Sequence, residues 1–139
     1  MSDNRILHIL LVDDDEVDVM NVQRAFTKAN LTNPIHVAGN GLQALELLRS
    51  GTLGQHRLLV LLDLNMPRMN GIEFLRELRA DPQLKGTSVV VLTTSNEDRD
   101  KVEAYQLNVA GYLLKPVTFN TFVDLTSALH KYWTLVEMP

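Results

Sequence analysis

The sequence predicts an α/β fold of the (βα)₅ type, a doubly wound parallel sheet with strand order 2-1-3-4-5. Three observations predict it. Apolar runs alternate with amphipathic stretches five times along the chain. The leading runs are almost unbroken in apolarity, as strands buried on both faces must be. The polar residues that end them fall where an open parallel sheet binds ligands, outside the carboxyl ends of its strands at the reversal of strand order.

The first strand is Ile6-Leu7-His8-Ile9-Leu10-Leu11-Val12, stopped by Asp13-Asp14-Asp15. A helix from about Glu16 to Ala29 places Val19, Val22, Ala25 and Phe26 on one face by their three- and four-residue steps, and Asn30 and Asn33-Pro34 end it. Pro34 to Ala38 is the second strand. Asn40 caps a second helix whose inner face is Leu42, Leu45, Leu47 and Leu48. A loop from Ser50 to Arg57 leads to Leu58-Leu59-Val60-Leu61-Leu62, the most apolar strand and so the central one. Asn70-Gly71 opens a third helix with Ile72, Phe74, Leu75 and Leu78 inward, closed by Asp81-Pro82. Ser88 to Leu92 is β-branched and forms the fourth strand, and an acidic helix start follows at Glu97 and Asp98. Gly111-Tyr112-Leu113-Leu114 is a short fifth strand before Lys115-Pro116, and a last helix runs from about Thr118 to Trp133.

Length and composition bound the function. A chain of 139 residues, 45% of them hydrophobic, suits one domain with one core. The chain has no cysteine, which rules out disulfides, thiolate metal sites and a thiol nucleophile, and suits a reducing compartment. Residues Met1 to Arg5 open polar and acidic, and no apolar run approaches the roughly 20 residues of a membrane span. A cytoplasmic protein is expected. With a formal net charge of −4 and scattered basic residues, the chain offers no electrostatic footprint for nucleic acid or anionic lipid. It has no Gly-rich phosphate loop for ATP or NAD, and His8, His36, His56 and His130 fall on separate elements without metal-ligand spacing.

The candidate site lies at the strand tips: Asp13 and Asp14 after strand one, Asp63 after strand three, Thr93 at strand four and Lys115 after strand five. Three carboxylates crowded together stay ionised only if a cation or a good water shell neutralises them. Magnesium suits an all-oxygen set that leaves room for water. Asp14 and Asp63 would ligate directly, the backbone carbonyl of Asn65 would add a third oxygen, and Asp13 would hold a metal-bound water. Lys115 would pair with Asp63 at rest and with a phosphoryl oxygen afterwards. Asp63 would be the nucleophile that takes a phosphoryl group as an acyl phosphate. The Thr93 hydroxyl would swing toward the new phosphoryl oxygens, pulling the loop after strand four with it, and Tyr112 would follow into the vacated space, reshaping the face of helix four, strand five and helix five.

Each residue has a plainer reading by itself. Asp13-Asp14-Asp15 suits a helix cap, Thr93-Thr94 an ordinary strand end, Lys115-Pro116 a turn, and Tyr112 a core aromatic. The conjunction, each residue at the end of the correct strand, favours the site.

The motifs Leu11-Val12-Asp13-Asp14-Asp15, Leu62-Asp63-Leu64-Asn65-Met66-Pro67-Arg68-Met69-Asn70-Gly71, Val91-Leu92-Thr93-Thr94-Ser95 and Gly111-Tyr112-Leu113-Leu114-Lys115-Pro116 resemble the receiver domains of two-component response regulators. The resemblance runs from about Ile6 to Trp133. It implies a flavodoxin-like fold, Asp63 as phosphoacceptor, Asp13, Asp14 and Asn65 around Mg²⁺, and Thr93, Tyr112 and Lys115 as switch residues. It also implies a cis peptide bond between Lys115 and Pro116, a histidine kinase as phosphoryl donor, and a single receiver domain over 1–139 with no output domain. Thr94 and Val117 depart from the commonest pattern, which has a smaller residue and an aromatic there. More narrowly, the loop Ser50 to Arg57, the run Thr94-Ser95-Asn96 and Tyr132-Trp133 are similar to the small stand-alone regulators of cyanobacterial phytochrome kinases.

Two further expectations concern partners and alternatives. In the last helix Phe119, Phe122, Leu129 and Trp133 lie along one side and Leu125, Ala128, Tyr132 and Val136 along another, which predicts a homodimer through helix four, strand five and helix five. The competing functions are a constitutive interaction module of the pseudo-receiver kind, which the set Asp14, Asp63, Thr93 and Lys115 argues against, and an aspartate-nucleophile phosphatase. The phosphatase needs a second acid two residues after its nucleophile, where Asn65 stands.

Overall fold

The computed structural model describes residues 7–28, 31–54 and 57–115. The strands are β1 (Leu7–Val12), β2 (Ile35–Ala38), β3 (Arg57–Leu62), β4 (Ser88–Thr93) and β5 (Gly111–Leu114). The helices are α1 (Glu16–Lys28), α2 (Gly41–Arg49), α3 (Gly71–Ala80) and α4 (Asp98–Gln106). All strand pairs are parallel, in the order β2-β1-β3-β4-β5. The expected last helix, its two apolar sides, the Lys115–Pro116 bond and Val117 lie outside the described residues.

Strands alternate their side chains between two faces, so an unbroken apolar run fills two cores at once. Leu10, Val12, Val60, Leu62, Val89 and Val91 face α2, α3 and α4, where Leu45, Phe74, Leu78 and Ala104 complete one cluster. Leu7, Ile9, Leu11, Leu59, Leu61, Val90 and Leu92 face α1, against Val22 and Phe26. Helix α2 departs from expectation by one position: Ala44 is buried, while Leu42 is 45% exposed. The phase that sets Gly41, Ala44, Leu45 and Leu48 on one face turns residue 42 outward.

Caps fix where the helices begin. Asn40 accepts a hydrogen bond from the Gln43 N–H, and Asn70 forms a reciprocal capping box with Glu73. Helix α3 starts against the sheet: a Cβ at Gly71 would stand 2.5 Å from the Asp63 carbonyl oxygen and 2.7 Å from the Leu64 Cα. Only a residue without a side chain allows that approach.

Beyond the strand ends the parallel ladder continues for one more residue. The Asp13 N–H donates to the Ala38 carbonyl at 3.0 Å, the Asp63 N–H to Val12 at 2.9 Å and the Lys115 N–H to Thr93 at 2.8 Å. Topology therefore sets the backbone of Asp13 beside that of Asp63, and Lys115 beside Thr93 on the next pair of strands.

Candidate functional site

The Asp13-Asp14-Asp15 run divides its work. Asp13 is buried, and its Oδ1 accepts the Asp15 N–H at 2.9 Å. Asp15 turns outward and accepts the N–H groups of Val17 and Asp18 at 2.9 and 3.3 Å, capping α1. Asp14 lies exposed at the cleft mouth. The capping interpretation thus holds for the third aspartate, while the first two join Asp63 in one carboxylate cluster.

Asp63, 6% exposed at the end of β3, has a partner on each oxygen. Its Oδ1 accepts the Thr93 hydroxyl at 2.8 Å and the Asn65 N–H at 3.2 Å, and its Oδ2 faces the Lys115 ammonium at 3.3 Å. Thr93 is fully buried; its Oγ1 also accepts from the N–H groups of Leu64 and Ser95, at 3.4 and 3.3 Å. The threonine hydroxyl therefore already rests on the aspartate. Tyr112 stands one layer away, its hydroxyl donating to the Ser95 carbonyl at 2.8 Å, with the Lys101 ammonium 5.9 Å from its ring centre. Burial, partly opposed by the bond to Ser95, and the charges of Asp100, Glu97 and Asp63 push the phenol's pKa up, so the hydroxyl remains a donor.

Carboxylate oxygens of Asp13, Asp14 and Asp63 all lie within 4.8 Å of one another. Lys115, its side chain only 4% exposed, reaches Asp13 and Asp18 at 2.7 Å each, closer than Asp63. Four negative charges, on Asp13, Asp14, Asp18 and Asp63, meet one positive charge. Burial alone would lower the lysine pKa; the hydrogen bonds it donates to Asp13 and Asp18 and the charges of Asp63 and Asp13 more than reverse this, and the ammonium stays charged. Burial raises the Asp13 pKa against the lowering effect of Lys115 and the Asp15 N–H, and the nearby Asp63 charge adds to the rise. An oxygen-only cluster with three formal charges in excess, opening on a cleft of about 500 Å³, fits a hard divalent cation.

All the predicted residues meet at this end of the sheet: Asp14, Asp63, Asn65 and Lys115 line the cleft, Asp13 and Thr93 lie beneath it, and Tyr112 stands behind the loop after β4. Asn65 also donates through Nδ2 to the Thr94 hydroxyl at 3.4 Å. Asp18 was not anticipated. Its signal lay in helical spacing, four residues after Asp14 and within the first turn of α1, which returns its side chain over the strand tip. The topology also stacks His8 on His36, with Nδ1 and Nε2 3.0 Å apart, although their sequence positions show no such pairing.

Fold and cleft together define a doubly wound α/β domain with an acidic site that suits a cation at its switch point. The chain belongs to the response regulator receiver domain family, whose model matches residues 9–127. The "Probable methanogenesis regulatory protein FilR2" of Methanothrix harundinacea is 37% identical over 127 residues, 90% of this chain and 82% of that protein. Response regulator Rcp1 of Synechocystis sp. is 32% identical, and its Mn²⁺-bound structure superposes with a TM-score of 0.73 over 92% of this chain and 94% of that one. The phosphorylated cyanobacterial phytochrome response regulator RcpA is 30% identical, with a TM-score of 0.76 over 94% and 96% of the two chains. Receiver domains are phosphoacceptor signalling domains served by histidine kinases, and this one resembles the phytochrome response regulators.

Proposed function

We propose that this chain is a phosphorylation-activated, single-domain response regulator in which Asp63 accepts a phosphoryl group from the phosphohistidine of a sensor kinase. The observation that carries this reading is the division of the Asp63 carboxylate between Thr93 and Lys115, inside a cluster that fits a divalent cation. One carboxylate oxygen attacks phosphorus as the phosphorus–nitrogen bond to the kinase imidazole breaks; the imidazole keeps that electron pair and an acyl phosphate remains on Asp63. Asp14, Asp63 and the Asn65 backbone carbonyl would hold Mg²⁺, with Asp13 reaching it through a water, and the ion would neutralise charge on the phosphoryl oxygens. Lys115 contributes its ammonium to the same task, and Thr93 donates its hydroxyl. The Thr93 loop carries Ser95, and Ser95 holds Tyr112, so these side chains form the switch.

A phytochrome kinase is the proposed donor, on the similarity to RcpA. Signalling would proceed through protein contacts in the cytoplasm; among the described residues no helix is long and apolar enough to cross a membrane. The face of α4 and β5 exposes Val102, Tyr105 and Leu114, which supports a homodimer there.

The test is to incubate the protein with Mg²⁺ and a small phosphoryl donor and to measure its intact mass. One added phosphoryl group is expected, absent without Mg²⁺ and absent in Asp63→Asn. An adduct that persists in Asp63→Asn refutes the assignment, and rapid turnover of donor favours the phosphatase.

A further inference from the structure

The phosphoryl chemistry above leaves Asp18 without a role, yet its carboxylate is one of the two nearest partners of Lys115. The Lys115 Nζ lies 2.7 Å from Asp13 Oδ2, 2.7 Å from Asp18 Oδ2 and 3.3 Å from Asp63 Oδ2. An ammonium has three N–H donors. All three are engaged and the one to Asp63 is the longest, so a phosphoryl oxygen arriving on Asp63 inherits at most that weakest contact unless Asp13 or Asp18 releases its share. Asp13 is poorly suited to do so: it is buried, and its other oxygen is tied to the Asp15 N–H. Asp18 is 27% exposed at its side chain and can be taken up by water. Its position follows from the Asp15 cap, which fixes the first turn of α1 through the N–H groups of Val17 and Asp18.

We infer that Asp18 is a positioning residue that holds the Lys115 ammonium back from Asp63, so that the Asp18–Lys115 pair must yield before the lysine can close fully on a phosphoryl group. The inference rests on the reading of Asp63 as phosphoacceptor. It makes Asp18 a brake on how tightly the site holds its phosphoryl group. A direct repulsion between the Asp18 charge and the phosphoryl oxygens would have the same sign, but would not pass through Lys115.

Calorimetric binding of beryllofluoride, a tetrahedral phosphoryl analogue, to the full chain in Mg²⁺ separates these cases. Asp18→Asn is expected to tighten binding by about three- to tenfold, and in a Lys115→Met background the same change is expected to alter binding by less than about twofold. Equal effects in the two backgrounds, or no tightening in the first, overturn the inference. Asp18→Glu, which keeps the charge, is expected to restore wild-type affinity to within about twofold. A second measurement does not need the lysine variant: the nitrogen NMR resonance of the Lys115 side chain shifts in Asp18→Asn before any analogue is added, and an unmoved resonance overturns the inference. Failure of the wild-type chain to bind beryllofluoride, or its retention by Asp63→Asn, would strike instead at the phosphoacceptor reading and remove this inference with it.

Discussion

Replacing Lys115 by methionine keeps most of the side-chain length and removes the one ammonium that three carboxylates share. Two bounds set the size of the effect. The ammonium is almost fully buried, with contacts at 2.7, 2.7 and 3.3 Å. Breaking a buried ion pair by removing one partner costs about 3–5 kcal/mol, because the charge left behind is uncompensated. Protonation limits this cost: a carboxylate of ordinary pKa can take a proton at neutral pH for about 4 kcal/mol, and Asp13, whose pKa burial has already raised, takes one more readily. Solvation of Asp14 and Asp18 reduces the deficit further. The expected loss is about 2–3 kcal/mol at neutral pH without divalent cations.

The sign with pH follows from Asp13. An acid whose folded pKa is raised contributes stability that is present below its unfolded pKa and lost as pH rises through the folded value. Lys115→Met raises the Asp13 pKa further, so the deficit shrinks on acidification from about pH 7 to about pH 5. The raised pKa of Lys115 itself acts only in the alkaline range, where wild-type stability falls as the ammonium finally deprotonates. The variant also retains every carboxylate with less opposing charge, so Mg²⁺ binds it more tightly and recovers more of its stability. Urea unfolding followed by circular dichroism, at both pH values and with and without Mg²⁺, measures all three effects. Equal stability of the two proteins at neutral pH without metal, or a deficit that grows on acidification, refutes the electrostatic account.

Three other perturbations test the frame around the site. Gly71→Ala places a methyl against the Asp63 carbonyl and the Leu64 backbone, neither of which can swing away, so it should lower unfolding free energy by about 2–3 kcal/mol and weaken Mg²⁺ binding in titration calorimetry. Asn70→Ala removes the side-chain acceptor of the Glu73 N–H while the backbone N–H of residue 70 keeps its bond to the Glu73 carboxylate, and should lower unfolding free energy in urea by about 1 kcal/mol, leaving Mg²⁺ affinity within a few-fold. Thr93→Val keeps the shape but removes the donor to Asp63 and the acceptor for two N–H groups; a loss of about 1–3 kcal/mol in urea and a weaker beryllofluoride affinity are expected.

Much of this architecture was legible because parallel sheets leave strong traces. A strand buried on both faces has to be written almost wholly in Leu, Ile and Val, and each run stops where polar residues begin. The ladder then carries Asp13, Asp63 and Lys115 one residue past their strands, so naming the strand ends came close to naming the site. Asp18 escaped for a physical reason. Its partner is 97 residues away, and the pair depends on the rotational phase of α1, which apolar spacing constrains only loosely. The same looseness misplaced Leu42 by one step. Nothing in the residue pattern signals where the Thr93 hydroxyl rests before any phosphoryl group arrives: it is buried between the Asp63 carboxylate, to which it donates, and two N–H groups.

That resting contact changes where motion has to arise on the proposed reading. A hydroxyl that already donates to Asp63 Oδ1 cannot signal by arriving; it signals by what it lets go. A phosphoryl group on Asp63 introduces new acceptor oxygens, and the Thr93 hydroxyl can exchange the carboxylate for one of them only by shifting. The Leu64 and Ser95 N–H groups bound to its oxygen would then have to follow or lose their acceptor. Ser95 is the branching point, because its carbonyl receives the Tyr112 hydroxyl while its own hydroxyl is bonded to Asp100 in α4. On that reading a displacement at residue 93 would pass through these hydrogen bonds to the face that exposes Val102, Tyr105 and Leu114.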